Sequence, residues 1–310
     1  MQTQPTIVTG FFDLHRDEWN CSRRSTEKYT NAFAFWAGIQ NNLVVYTNSQ
    51  MAEEVRRIRG EKGLLNSTNI IVVDDYLSLD PELYNSIKSA MIQPASKQFH
   101  LKPGHPESWN PDYNYVMILK WWCVCDAIER GITGESVAWI DFGFNNCGTF
   151  YIDPQDFDFI WRCETDDKIN LFCINKPDDT PVFEIVQKME TYVQGCSIVG
   201  PAKHWKEFRE LVRQAVFAMN KVGFADDDQV YMLMAYRENP DLFKINVCPW
   251  FSIFQVTSDK TFLTRQVSPN TLGIKGALKA FMKRCEDYRL VCEYLKKQKK
   301  IMLNKNTIND

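Results

Sequence analysis

Six short apolar runs punctuate the chain: Thr6–Phe12, Asn42–Asn48, Asn69–Asp75, Val137–Asp141, Lys168–Asn175 and Tyr192–Val199. Each is rich in β-branched or aromatic residues and reads as a strand. The first four are spaced widely enough to hold crossover helices, which predicts parallel strands with right-handed connections. In Leu43-Val44-Val45-Tyr46 and Ile70-Ile71-Val72-Val73 the apolar positions are consecutive rather than alternating. Strands of that kind have both faces covered, so helices are expected above and below the sheet.

The intervening segments carry the helical period. Ala52–Gly60 reads as a helix, and Asn114–Arg130 as a stronger one, with Tyr115, Ile118, Leu119, Trp122, Cys125 and Ile128 at helical spacing and Gly131 as its stop. A third begins after Gly200 with Pro201 in its first turn, carries Trp205, Phe208, Val212, Ala215, Val216 and Met219 on one stripe, and ends at Gly223. Val230–Arg237 is a fourth, closed by Asn239-Pro240. Gln93–Pro111 holds four prolines, two histidines and a tryptophan without periodicity, and is expected to be a long loop. From Lys275 to Lys300 the pattern is a basic amphipathic helix, with Leu278, Phe281, Met282, Cys285, Tyr288, Val291, Cys292 and Leu295 on one side.

Composition narrows the class. A chain of 310 residues, 45% hydrophobic and 13% aromatic, can bury a large core as one α/β domain. The formal charge of −3 gives no global basic field, so nucleic acid is not an expected partner. The terminal helix is the exception: its lysines and arginines are expected to meet an anionic membrane surface peripherally. Neither a signal peptide nor a membrane-spanning run is read, and the ten cysteines show neither CxxC pairs nor zinc spacing. They are expected to be free thiols in a reducing, cytoplasmic compartment.

Ligands of open α/β sheets bind beyond the carboxyl ends of the strands. Four polar clusters stand there: Thr9-Gly10-Phe11, Tyr46-Thr47-Asn48, Asp74-Asp75 and Asp141-Phe142-Gly143. Gly10 lets backbone approach a ligand and Phe11 offers a stacking face. Asp141 would emerge from a buried strand with space beside it at Gly143, where a carboxylate can bind a divalent ion bridging two phosphates. Its ordinary alternative is a turn residue. Asp226-Asp227-Asp228-Gln229 precedes the Val230 helix, where one acid suffices as an N-cap and the others are free to act as a base or to hold an acceptor. No GxSxG elbow and no GxxxxGK[ST] loop occurs. His15, His100, His105 and His204 lack metal spacing.

Thr6-Ile-Val-Thr-Gly-Phe-Phe, the two runs at Asn42–Asn48 and Asn69–Asp75, Tyr115–Trp122 leading into Ala138-Trp-Ile-Asp-Phe-Gly, and Asp226-Asp-Asp-Gln together resemble the bacterial HtrL/YibB family, from Pro5 to Phe254. That family resembles GT-A-type glycosyltransferases and occurs among genes for lipopolysaccharide and other surface glycans. The resemblance implies a GT-A-like, Rossmann-like, mostly parallel sheet flanked by helices. Residues 1–145 would form a nucleotide-sugar half, 146–270 an acceptor half, and 271–310 the basic helix. It further implies transfer of a sugar from a nucleotide diphosphate, UDP by preference, to a glycan or glycolipid hydroxyl. Thr9, Gly10, Phe11, Asn48, Asp74, Lys120, Asp141 and Gly143 would bind the sugar donor. Gly195, in the strand beside the acceptor, and Gln229 would bind the acceptor, and Asp227 or Asp228 would be the catalytic acid. Asp141 stands at the first acid of the DxD metal motif, which implies Mn²⁺ or Mg²⁺. The motif's last position is Gly143 rather than Asp, and no histidine follows His204 to supply a C-terminal ligand, so transfer with or without the metal stays open.

Two rival readings stand beside it. A sugar nucleotidyltransferase would need a glycine-rich basic loop after the first strand, where this chain has Phe11-Phe12-Asp13-Leu14-His15-Arg16. A non-catalytic sugar-nucleotide or glycan-binding protein on a degenerate GT-A fold is favoured by the missing second acid and opposed by the acidic cluster.

Overall fold

The computed structural model describes residues 2–265 except 94, 95, 97 and 98, together with 289, 292, 293 and 296. Seven strands form one sheet: β1 Thr6–Phe11, β2 Leu43–Thr47, β3 Thr68–Val72, β4 Ser136–Ile140, β5 Ile169–Cys173, β6 Val193–Pro201 and β7 Phe243–Val247. Their order is β3-β2-β1-β4-β6-β5-β7. β1 pairs in parallel with β2 and β4, and β2 with β3, as the spacing of the first four runs predicts. β6 alone is reversed, antiparallel to both β4 and β5, while β5 and β7 are parallel.

The fold is therefore α/β, a mostly parallel sheet with packed residues on both faces. Alternate side chains of one strand feed two cores: Val8 and Phe12 enter one with Trp139, Trp121 and Phe208, and Ile7 and Phe11 enter the other with Phe33, Trp36 and Ile140. That alternation is why β1, β2 and β4 carry apolar residues at consecutive positions. β3 differs from the expectation, because as an edge strand it leaves Val72 exposed.

Eight α-helices are described: α1 Thr26–Trp36, α2 Ser49–Glu61, α3 Pro81–Met91, α4 Pro111–Glu129, α5 Val182–Lys188, α6 Trp205–Lys221, α7 Asp228–Glu238 and α8 Ile253–Thr257. Caps define their starts. Ser25, Asn48, Asp80, Asn110 and Asp227 each accept a first-turn backbone N–H. Pro201 is not in a helical first turn, as the sequence suggested; it ends β6, and a 3₁₀ turn over Ala202–His204 intervenes before α6. Part of the expected loop Gln93–Pro111 lies outside the described residues, and Pro106–Ser108 within it forms a 3₁₀ turn. The basic helix of Lys275–Lys300 lies outside them too, apart from Arg289, Cys292, Glu293 and Lys296, which are helical.

α4 governs the site. It is buried on several sides: Tyr115, Ile118 and Leu119 of the predicted stripe are covered, and so are Trp121, Cys123 and Val124 off that stripe. A helix so enclosed carries Lys120 into the interior with it. The reversal of β6 matters equally, because it lays Ser197 opposite Ile140 and brings Cys196 O to accept from Asp141 N at 2.9 Å. The residues just before them on β6 thus stand at the end where β1 and β4 terminate.

Among the described residues no helix is long and apolar enough to cross a membrane. The described cysteines are free; Cys123, Cys125, Cys163, Cys173 and Cys196 are buried and Cys21 and Cys147 exposed.

Candidate active site

At the carboxyl ends of β1 and β4 a cleft opens to solvent. Gly10, Phe11, Lys120, Asp141 and Gly143, all expected at a sugar-donor site, line it. So do Asp13, Arg16, Arg24, Tyr29 and Tyr113, which sequence reasoning passed over. Arg16 and Arg24 belong to the segment between β1 and α1; a basic pair in the first strand-end loop was the signal available for them. Tyr113 sits one turn into α4, behind the capping Asn110.

Lys120 is the centre of the site. Its Nζ donates to Asp228 Oδ2 at 2.8 Å and to Gly195 O at 2.9 Å, and lies 3.0 Å from Asp141 Oδ1. The lysine and Asp228 side chains are 4% and 2% exposed, whereas Asp141 keeps 31%. Trp139 Nε1 donates to the same Asp141 Oδ1 at 2.7 Å, which fixes the carboxylate from the strand side. Burial disfavours the ammonium, but the charges of Asp141 and Asp228 outweigh it and raise the Lys120 pKa. Across this contact the two partners move in the same direction, since burial also lifts the Asp228 carboxyl against the pull of Lys120. We read the pair as ionised: an ammonium that meets two carboxylates and a carbonyl within 3.0 Å has its donors satisfied, and charged partners are what such a buried cation requires.

Gly195 serves Asp228. A Cβ built there would lie 2.7 Å from Asp228 Oδ1 and 2.9 Å from its Cγ, so the strand leaves the berth that the carboxylate fills. Gly143 is packed similarly, its would-be Cβ 3.2 Å from the Tyr29 ring. Phe11 lies between Tyr29 and Phe142, with ring centroids 5.2 and 5.3 Å away.

The other expected site residues lie elsewhere. Thr9 is wholly buried within β1 and does not line the cleft. Asn48 caps α2 through Met51 N, and Asp74 accepts from Ser49 N at the same helix end; both are spent on that turn. Asp227 is the N-cap of α7, accepting from Gln229 N at 3.0 Å and Gln229 Nε2 at 3.3 Å, so Gln229 and Asp227 are committed to each other. Asp226 accepts from Asp227 N at 2.8 Å. All three aspartates are buried. The acidic run is therefore turned inward, with the ordinary capping role at Asp227 and an ion pair at Asp228.

Burial pushes the Asp226 carboxyl up to about 8, helped by Glu107 and Asp228, and lifts Asp227 well above the usual carboxylate range, helped by Asp228 and Asp226. The stability effect has a definite sign. Protonated in the fold and ionised in the unfolded chain above about pH 4, Asp226 favours folding fully below about pH 4, and that contribution is lost as pH rises towards its folded value of about 8; Asp227 acts in the same direction. Urea unfolding of the wild type should show stability falling over this window, with Asp226 contributing up to about 1.4 kcal/mol per pH unit. Asp226→Asn, which keeps the acceptor for Asp227 N, should flatten that slope; parallel slopes in the two proteins would remove Asp226 as its source.

The metal implied by a DxD-like strand end does not fit these residues. A hard divalent cation needs several oxygen ligands, yet Asp141 Oδ1 already meets the Lys120 ammonium and the Trp139 indole, and Gly143 stands where the second acid would be. Among the described residues no group of three or more His, Cys, Asp or Glu side chains is arranged to hold a metal ion.

A family model described as "Bacterial protein of unknown function (HtrL_YibB)" matches residues 3–259. Protein HtrL of Escherichia coli (strain K12) is 29% identical over 303 residues, covering 92% of this chain and 100% of that protein. Among solved structures, mouse xyloside xylosyltransferase 1 in its apo form is similar over 80% of this chain and 89% of its own, at 11% identity and a TM-score of 0.42. The PaToxG glycosyltransferase is similar over 76% and 71%, at 13% identity and a TM-score of 0.36.

Proposed function

This chain belongs to the HtrL_YibB family, and from that premise we propose that it is a glycosyltransferase, moving a sugar from a nucleotide diphosphate sugar to a hydroxyl of a bacterial surface glycan. The observation that carries this reading is the strand-end cleft in which Asp141 is held by the buried Lys120 and which Arg16 and Arg24 also line. Cations fixed in a partly enclosed cleft offset the charge that develops on a departing diphosphate and need no reorganisation as it leaves. Phe11, Tyr29 and Tyr113 supply flat apolar surface of the kind that receives a nucleobase. Gly10 and Gly143 line the cleft with Asp141.

Asp141→Asn is expected to fold, because Lys120 retains Asp228 and the Gly195 carbonyl. It should nevertheless bind the sugar donor roughly tenfold to a hundredfold more weakly, the cost of removing a charged hydrogen-bond acceptor. Wild-type donor affinity and turnover in this variant would exclude Asp141 from the site.

A second reading, a sugar-nucleotide-binding protein without transfer, is favoured by the inward turn of Asp227 and Asp228, since neither presents a free carboxylate to an acceptor hydroxyl. A panel of UDP-, GDP- and CMP-sugars separates the two. Thermal stabilisation with release of nucleotide supports transfer, stabilisation without turnover supports binding alone, and no response to any donor overturns both.

A further inference from the structure

Resting on that reading of the cleft, we propose that the site works without a divalent cation: Lys120 is its resident cation, Arg16 and Arg24 receive the diphosphate, and Asp141 receives sugar hydroxyls. The argument starts with what Lys120 occupies. Its Nζ stands within 3.0 Å of two carboxylates, the metal candidate Asp141 and Asp228, and its pairing with the second is wholly buried. A divalent ion placed on Asp141 would face an ammonium at close range in a region of low dielectric, where like charges repel strongly.

Pre-pairing changes what Asp141 does. Oδ1 is taken by Lys120 and Trp139, and no described residue engages Oδ2, although the side chain is nearly a third exposed in the cleft. One ammonium is shared between two carboxylates, so Asp141 keeps part of its charge: its open Oδ2 remains a strong acceptor for neutral O–H donors, while the adjacent ammonium opposes a further cation. Hydroxyls of a sugar or ribose are the donors of that class.

The phosphates then need other cations, and the cleft has them. Arg16 and Arg24 both line it, and neither has a carboxylate partner among the described residues. Arg16 is held in place: Nη1 donates to Tyr29 Oη at 2.7 Å, Nη2 to Ser22 O at 2.9 Å, and its guanidinium lies 4.8 Å from the Trp19 ring centroid and 5.5 Å from that of Tyr113. Its Nε is buried with no partner, a donor that costs free energy unless something accepts from it. Arg24 lies over the Tyr29 ring, 6.0 Å from its centroid. A planar fork with an unfilled donor suits a phosphate better than a point charge does.

Calorimetric titration of full-length protein with UDP, GDP and CDP, in EDTA and again in Mn²⁺ or Mg²⁺, tests the assignment without requiring an acceptor or turnover. Affinity for the preferred nucleotide should agree within about twofold across these conditions, and spin resonance should detect no protein-bound Mn²⁺ in the absence of nucleotide. Arg24→Ala, at a partly exposed position, and Arg16→Ala should each weaken binding roughly tenfold or more, as expected for a lost charged contact. Binding that strengthens tenfold or more with metal and vanishes in EDTA overturns the metal-free assignment while leaving the sugar-nucleotide reading intact. Undiminished binding in both arginine variants overturns the phosphate assignment. Absence of binding for all three nucleotides in every condition overturns this proposal and the proposed function together.

Discussion

Lys120→Met is expected to lower the free energy of unfolding by about 3–5 kcal/mol, the usual cost of leaving a buried charge without its partner. Asp228 is the group left behind, 2% exposed, with Gly195 O also losing its donor. Methionine fills the volume of the lysine stem, so the loss measures electrostatics rather than a cavity. The double variant Lys120→Met/Asp228→Leu should recover much of the stability, since apolar replacement of a whole buried pair is often neutral. It should not recover nucleotide binding, because Asp141 would remain without its cation. Urea midpoints and titration calorimetry on the same preparations check both halves. A single variant that costs less than about 1 kcal/mol would mean that the pair is not ionised.

Gly195→Ala should be nearly as damaging, although it adds one methyl group. The new Cβ would meet both carboxylate oxygens and Cγ of Asp228 inside van der Waals distance, and Asp228 cannot retreat because Lys120 holds Oδ2. Overpacking of this kind costs about 1–3 kcal/mol, and here it would also pull the carboxylate from the ammonium, so ligand binding should fall with stability. Coupling is the diagnostic. If the clash acts through Asp228, then Gly195→Ala added to Asp228→Ala should cost far less than Gly195→Ala alone. Full additivity in thermal unfolding would place the damage elsewhere in β6.

The sheet was largely legible because its signal is local. Runs such as Leu43–Tyr46 and Val137–Ile140 are too apolar to lie anywhere but between two covered faces, and both are strands there. β7 escaped because Phe243-Lys244-Ile245-Asn246-Val247 is an edge strand whose polar positions dilute the pattern. α1 and α3 are announced mainly by their caps, Ser25 and Asp80, and by little periodicity between.

For the site, residues at strand ends could be read because strand ends are visible in the chain. Asp141 and Gly143 do line the cleft beside Gly10 and Phe11. What could not be read is partnership. Asp228 looked like a free acid because its cation is 108 positions away, and Asn48 looked like a ligand because a cap and a binding group are spelled alike. Gly195 belonged with the acceptor only until β6 was seen to run backwards and press it against Asp228. Arg16 and Arg24 lay in a loop with no period to mark them.

The lysine triad also bears on the order in which the chain can become a protein. Lys120 leaves the ribosome 75 residues before Gly195 and 108 before Asp228. At ordinary rates of synthesis that is an interval of roughly 5–20 s, long compared with the formation of a helix. Throughout it α4 has only the partly exposed Asp141 to meet its lysine and lacks the buried Asp228, so β1 to β4 cannot close around the helix at full strength. The amino-terminal half should stay loosely packed and protease-sensitive until α7 arrives to lock it. Nascent chains arrested before residue 228 should therefore be digested where chains arrested well past it are protected.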